Sequence, residues 1–172
     1  EGHAARNHFA TLVYALRHAV RHGVFSAEPW DFVAIGSLAF KNDIDLSGAE
    51  KLRMMPKMPK AEYEDFLLTG DIGMSVITTP HPGIVHFQMA AYGLTTITNR
   101  TELRDDAWLA AQNRNLVPVD MNLESIVDGF REAVKRSRDL DARHANALAT
   151  PMMRKEDCLR GALDLMGKIV RE

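Results

Sequence analysis

Short apolar stretches alternate with amphipathic ones along most of this chain, and that alternation limits its fold more than any single motif does. Residues 30–35 (WDFVAI), 72–78 (IGMSVIT), 94–98 (LTTIT) and 115–119 (NLVPV) are brief and mostly apolar or β-branched, as buried strands are. Between and around them lie helical patterns. Residues 5–22 repeat Phe9, Leu12, Val13, Leu16, Ala19 and Val20 at three- and four-residue steps, with Gly23 as a left-handed stop. Residues 60–68 group Tyr63, Phe66 and Leu67, a further helix is expected over about 84–92, and residues 122–138 align Ile126, Val127, Phe130 and Val134. Leu159, Ala162, Leu163, Met166 and Val170 mark a last helix after the break at Thr150-Pro151.

Strands alternating with helices imply parallel pairing through crossover helices. The predicted fold is therefore α/β, a Rossmann-like doubly wound parallel sheet. Pro118 confines the last strand to a strand end or an edge. Residues 43–55 (DIDLSGAEKLRMM) lack a helical period and hold Ser47-Gly48, which predicts a hairpin or an extended connection. Such a sheet opens on a strand, whereas this chain opens on a helix. One reading is that the first strand lies outside this chain, within a larger protein.

At 172 residues the chain is one domain, or one domain with a terminal extension. Its net charge of −2 gives no basic footprint for nucleic acid or for an anionic membrane. No apolar run approaches the ~20 residues of a membrane span, and the opening EGHAARNHF lacks a signal-peptide pattern. The lone cysteine, Cys158, cannot form an internal disulfide and sits among Leu159 and Leu163 as a small hydrophobe. These features predict a cytoplasmic protein without nucleic-acid partner or membrane span, in which the sequon Asn99-Arg100-Thr101 carries no glycan.

His18 and His22 have a spacing that can hold zinc, yet no third ligand accompanies them, so a solvated pair is expected. His86 reads as a surface histidine. Asp43-Ile44-Asp45 and Asp139-Leu140-Asp141 read as solvated charges rather than cation ligands. No nucleophile elbow appears. Residues 80–93 (PHPGIVHFQMAAYG) are more informative, since a proline–glycine loop runs into a helix of small residues. Main-chain N–H groups of Gly83, Ile84 and Val85 would lack intrahelical partners there, and Gly83 allows close approach to the backbone. Pro80 and Pro82 restrict the loop. From the residues alone two readings stand, a helix start made of turn residues and a cradle for phosphate.

The stretch TPHPGIVHFQMAAYGLTTITNR, with GDIGMSV before it, resembles the C-terminal half of GT-B glycosyltransferases. It is most similar to their bacterial rhamnosyltransferase-like branch, which builds surface polysaccharides. ARNHFATLVYALRHAVRHGVF resembles that family's first helix, WDFVAIGS its second strand and turn, and NLVPVDMNLESIVDGFREAV the strand and helix after the donor site. The resemblance implies that residues 1–150 bind a nucleotide sugar. Residues 151–172 would form a C-terminal helix packing back toward a partner domain, with Met166, Ile169 and Val170 in contact.

By the same resemblance, Gly83, Ile84 and Val85 would offer N–H groups to the diphosphate, with His81 and Pro82 in the cleft. Gln88 would stand where the family usually has a ribose-binding glutamate, Lys57 and Met58 would flank the base, and Arg6 would lie near the phosphates. The implied partners are a nucleoside-diphosphate sugar, a saccharide acceptor and an N-terminal acceptor-binding domain of the same protein. The implied activity is hexosyl or rhamnosyl transfer, absent from this domain in isolation, with no cofactor and no metal. The catalytic residues are not visible in this sequence. Gln88 in place of glutamate keeps an alternative open, a non-catalytic sugar-nucleotide-binding or scaffolding module of a polysaccharide assembly protein.

Overall fold

A computed structural model describes residues 7–36, 42–79, 83–150 and 166–167. Helix α1 (Phe9–Arg21) buries Leu12, Ala15, Leu16 and Ala19 along one stripe. It stops where Gly23 takes a φ of 72°, a value that favours glycine. Strand β1 (Phe32–Ile35) follows, and then β2 (Ile44–Ser47) and β3 (Glu50–Met55) form a hairpin turned by Gly48. The remaining elements are α2 (Lys60–Leu67), β4 (Ile72–Met74), α3 (Val85–Ala91), β5 (Thr95–Asn99), α4 (Asp106–Gln112), β6 (Leu116–Val119), α5 (Leu123–Ser137) and α6 (Leu140–Leu148).

The described strands form two three-stranded sheets, ordered β1-β3-β2 and β4-β5-β6. In the first, β1 runs parallel to β3 with Phe32 opposite Leu52, and β2 is the antiparallel outer arm. The second is wholly parallel, with Ile72 opposite Thr95 and Thr96 opposite Leu116. Pro118 sits in β6, an edge strand of this sheet, where a missing N–H breaks no inner ladder. Every residue of the central strand β5 is buried.

Helices cover both faces of the parallel sheet. Ile97, Val117 and Val119 point into a core shared with Ile126 and Phe130 of α5, whereas Leu116, one residue out of phase, packs with Ala90 of α3 and Leu109 of α4. This is the Rossmann-like α/β architecture expected from the sequence. The main core also joins the two sheets, because Leu46 and Leu52 of the first and Ile97 of the second share it with α1 and α5. Phe25 is the aromatic hub of the join, meeting Phe32, Trp30 and Phe130 edge-on at centroid distances of 5.1, 5.5 and 5.6 Å.

Close packing of α5 depends on Gly129. A Cβ there would lie 2.5 Å from Val119 Cγ1, on a stiff β-branched side chain that is fully buried. Gly129→Ala should gain ~1 kcal/mol in helix propensity and still lose stability overall, by about 1–2 kcal/mol, as an overpacked core does. Gly73→Ala meets Met89 alone, its sulfur at 2.7 Å and its Cβ and Cε at 3.2 Å, and should cost less because the unbranched end of that side chain can shift. Urea unfolding of the two variants checks the order.

Helices α4 and α6 have no counterpart in the sequence reading. Each begins with an aspartate, Asp105 or Asp139, whose carboxylate accepts a first-turn N–H, and Asn122 does the same for α5. Asp139 of the second Asp-x-Asp pattern is therefore a helix cap. In the first pattern Asp43 accepts from the Met54 N–H at 3.0 Å and Asp45 faces Lys51 at 3.8 Å. His18 and His22 stack with ring centroids 4.0 Å apart. No helix among the described residues is long and apolar enough to cross a membrane. Cys158 and the final helix, apart from Met166 and Gly167, lie outside the described residues.

Candidate functional site

One cavity of about 1850 Å³ opens between β1 and β4 and extends past their carboxyl ends to Gly36, Ser75 and Val76. In doubly wound sheets this is the end at which ligands bind. Three helices begin on it: Asn7 and Phe9 mark the start of α1, Pro59 and Lys60 that of α2, and Gly83, Ile84 and Val85 that of α3.

These three helix starts share a chemical trait. Their N-cap residues are His8, Pro59 and Ile84, and none of them makes a side-chain capping bond. Proline and isoleucine have no side-chain acceptor to offer. By contrast α4, α5 and α6, which start elsewhere, are each capped by their own Asp or Asn. First-turn N–H groups need acceptors from outside the helix, and at these three starts the N-cap side chain is not one of them. The α3 first turn also carries no acidic residue, which keeps its positive end uncompensated.

Local contacts fix the loop between β4 and α3. Asn99 Oδ1 accepts from the Ile77 N–H at 2.8 Å, extending the β4–β5 ladder by a side chain. His8 Nε2 and Thr78 Oγ1 are 2.9 Å apart, which ties the start of α1 to the end of that same segment. His8 adopts a φ of 49°, a left-handed conformation costly for a non-glycine residue and retained here at the cavity rim. Beyond β5, Arg100 pairs with Asp106 and, at 3.4 Å, with Asp120. The hydrogen bond from Arg100 holds the Asp106 carboxyl below its usual range.

The expected surface position of His86 is incorrect. It is 1% exposed and packs against Phe87 with ring centroids 4.1 Å apart. Its Nε2 has no hydrogen-bond partner, and burial, followed by the nearby Arg104 charge, pushes its pKa down to about 4. The imidazole is thus neutral near pH 7. It also sets the shape of the loop, since a Cβ on Gly83 would come 3.3 Å from His86 Cε1. Gly83 itself has a φ of 69°, a backbone conformation that favours glycine.

Of the residues singled out from the sequence, Lys57, Met58, Gly83, Ile84, Val85 and Gln88 all line this one cavity. Arg6, His81 and Pro82 lie outside the described residues. Two residues escaped the sequence reading, Trp108, which lines the cavity, and His8, which lies between the lining residues Asn7 and Phe9. His8 carried no signal, since nothing in a sequence marks a left-handed histidine. Trp108 comes from the unforeseen α4, and it meets Phe87 edge-on at 6.0 Å.

The fold is thus a Rossmann-like domain with its cleft at the strand ends. The family model of the WsaF C-terminal domain matches residues 2–131, well over half of the chain, and the chain belongs to that family. WsaF is a glycosyltransferase involved in surface-layer glycan synthesis, so the protein is a glycosyltransferase C-terminal domain whose partners are a sugar donor and an acceptor. No curated protein matches the chain.

Proposed function

We propose that the cavity holds the nucleoside diphosphate of an activated sugar, from which a hexosyl group, rhamnosyl foremost, passes to a saccharide acceptor during surface-polysaccharide synthesis. The observation that carries this reading is the meeting, on one cavity, of the base-side loop at Lys57 and Met58 with Gly83, Ile84, Val85 and Gln88. Main-chain N–H groups at the start of α3 bind the diphosphate and stabilise the charge that develops on it as it departs. Arg6 adds a guanidinium at the phosphates, and His81 and Pro82 wall the sugar side. Lys57 and Met58 flank the base, and Gln88 meets the ribose.

The chemistry asks this domain mainly for positioning and for leaving-group stabilisation, which amide donors supply without a metal. Attack by the acceptor takes place against an N-terminal acceptor-binding domain of the same protein, toward which residues 151–172 pack. The isolated domain therefore binds the donor without turning it over. The reaction belongs on the cytoplasmic side of the membrane.

Nucleoside diphosphates at one hundred times their Kd should stabilise the domain by about 2.7 kcal/mol. For a chain of this size that is roughly 5–10 °C in Tm by thermal shift. Gln88 lacks the carboxylate that would make a charge-assisted bond to ribose, about 1.5–3 kcal/mol against about 1 for its neutral amide. Gln88→Glu should consequently tighten uridine diphosphate more than thymidine diphosphate, which offers one hydroxyl fewer, and equal effects would exclude a ribose role. Gln88 also favours the second reading, a non-catalytic nucleotide-sugar-binding or scaffolding module. Donor hydrolysis or transfer by the full-length protein selects the enzyme, and nucleotide binding without turnover selects the module.

A further inference from the structure

The cavity has an outer arm, along α3 and α4, that the bound nucleotide leaves unused. Ile84, Phe87, Gln88 and Ala91 follow at three- and four-residue steps, so one face of α3 lines the cavity along its length. Trp108 and Gln112, four residues apart on α4, line it as well. The two helices lie on the same face of the parallel sheet, where Ala90, Leu109 and Leu116 form a small core with Phe87 packed against it. A groove therefore runs between α3 and α4. The Phe87–Trp108 ring pair stands near the helix starts, and Ala91 and Gln112 each come one turn farther along.

We propose that this groove is a subsite for one uncharged hexopyranosyl unit of a glycan chain, laid against Trp108 and hydrogen-bonded by Gln112, next to the nucleotide and separate from it. Its ligand class rests on the glycosyl-transfer reading, its place on the groove alone.

A pyranose ring has an apolar C–H face and a rim of hydroxyl groups that both donate and accept. Trp108 is 37% exposed, and Phe87 steadies its ring edge-on at 6.0 Å, so a flat apolar surface is held ready for that face. Ala91, with a single methyl, leaves the groove open one turn past Phe87. The Gln112 carboxamide offers an acceptor and two donors to the rim, and it makes no hydrogen bond among the described residues. Its neighbour Asn113 is already engaged, since Nδ2 donates to Thr150 Oγ1 at 2.6 Å and Oδ1 accepts from the Asn115 N–H at 2.7 Å. Charge and polarity decide against other occupants. No charged side chain of α3 or α4 lines the cavity, so a phosphate or a uronate would find no counter-charge there. An apolar peptide segment would cover the Gln112 carboxamide without pairing it, which is costly. A neutral sugar serves both the ring and the amide.

Titration of the ¹⁵N-labelled chain with methyl α-rhamnopyranoside, followed at the Trp108 indole N–H and the Gln112 side-chain amide, tests the subsite. Both signals should shift saturably with one apparent Kd on the order of 1–10 mM, the ordinary efficiency for a ligand of about 12 heavy atoms. Methyl β-glucuronide, which carries a carboxylate, should shift neither. Trp108→Ala should weaken sugar binding at least ~10-fold, whereas Trp108→Phe, which keeps a ring, should weaken it no more than ~3-fold. Gln112→Ala should weaken it about 5-fold. Unchanged amide shifts in β5 and α5 report that each variant is folded. Saturating uridine diphosphate should leave the apparent Kd for the sugar unchanged. Competition between the two would put the sugar in the nucleotide's own pocket and overturn the subsite. So would equal sugar binding by Trp108→Ala, or no response to the sugar, as expected if the chain itself fills the groove. Nucleotide shifts without sugar shifts would remove this subsite alone, and sugar shifts without nucleotide shifts would uphold it while removing the donor site.

Discussion

Arg143→Ala is expected to lower the unfolding free energy by about 3–5 kcal/mol, because it takes a charged donor from three main-chain carbonyls and hydrogen bonds to charged groups contribute about 1.5–3 kcal/mol each. Arg143 is 8% exposed on α6 and its guanidinium reaches four groups. Nε donates to the Gly93 carbonyl at 2.7 Å, Nη1 to Ser137 O and Asp71 Oδ1 at 2.8 Å each, and Nη2 to Gly70 O at 2.9 Å. One side chain therefore joins the turn before β4, the turn before β5 and the end of α5. Three of its acceptors are main-chain carbonyls that would be left without this donor. Arg143→Lys should recover less than half of the loss, because an ammonium cannot reproduce the planar fork. Asp71→Asn should cost under ~1 kcal/mol, since that carboxylate is 58% exposed and its pairing is screened by water. Urea denaturation of the three variants gives the ranking, and an Asp71 effect as large as that of Arg143 would mean that the ion pair, not the carbonyl bonds, holds the turns.

Acidification should destabilise the domain through His86, by on the order of 2–3 kcal/mol between about pH 6.5 and pH 4. The folded-state pKa is about 4, lowered from 6.5 by burial first and by the Arg104 charge second. In that interval the unfolded chain takes up a proton that the folded chain refuses. The contribution is thus complete above pH 6.5 and is lost as pH falls toward 4. His86→Gln removes the titration. Its unfolding free energy, whatever its value at pH 7, should fall less steeply over this interval than that of the parent protein. Identical slopes in the two proteins would show that His86 does not govern the acid limb.

Much of the fold was legible because its longer elements repeat strongly. The apolar stripe of α1, the β-branched run of β5 and the period of α5 each point to one structure, and Ser47-Gly48 marked the hairpin. Helices α4 and α6 were harder to see because the one residue buried on α4 is Leu109 and the one buried on α6 is the charged Arg143, so neither shows an apolar stripe. A signal for His86 did exist. It shares a helix face with Met89 and Ala90, three and four residues on, and all three are buried. Its polarity masked that pattern. Arg143 was hidden for the same reason, since a buried arginine has meaning only through partners distant in sequence.

The candidate site was legible to the extent that it is local. Gly83, Ile84, Val85 and Gln88 are neighbours in one loop and helix, so a motif could reveal them together. That Lys57 and Met58 line the same cavity depends on β3, α2 and β4 folding around it, and only the resemblance to glycosyltransferases anticipated that. The uncapped starts of α1 and α2, and the separation of β1 from β4, arise from tertiary placement and leave no trace in a single sequence.

Amide chemical shifts recorded during titration of the ¹⁵N-labelled domain with uridine and thymidine diphosphates offer the most direct view of whether the cavity takes a nucleotide. Saturable shifts centred on Gly83, Ile84, Val85 and Gln88, with Lys57 and Met58 moving at the same apparent Kd, are the expected result. Shifts centred away from the cavity, or none at millimolar nucleotide, would contradict donor binding by this domain.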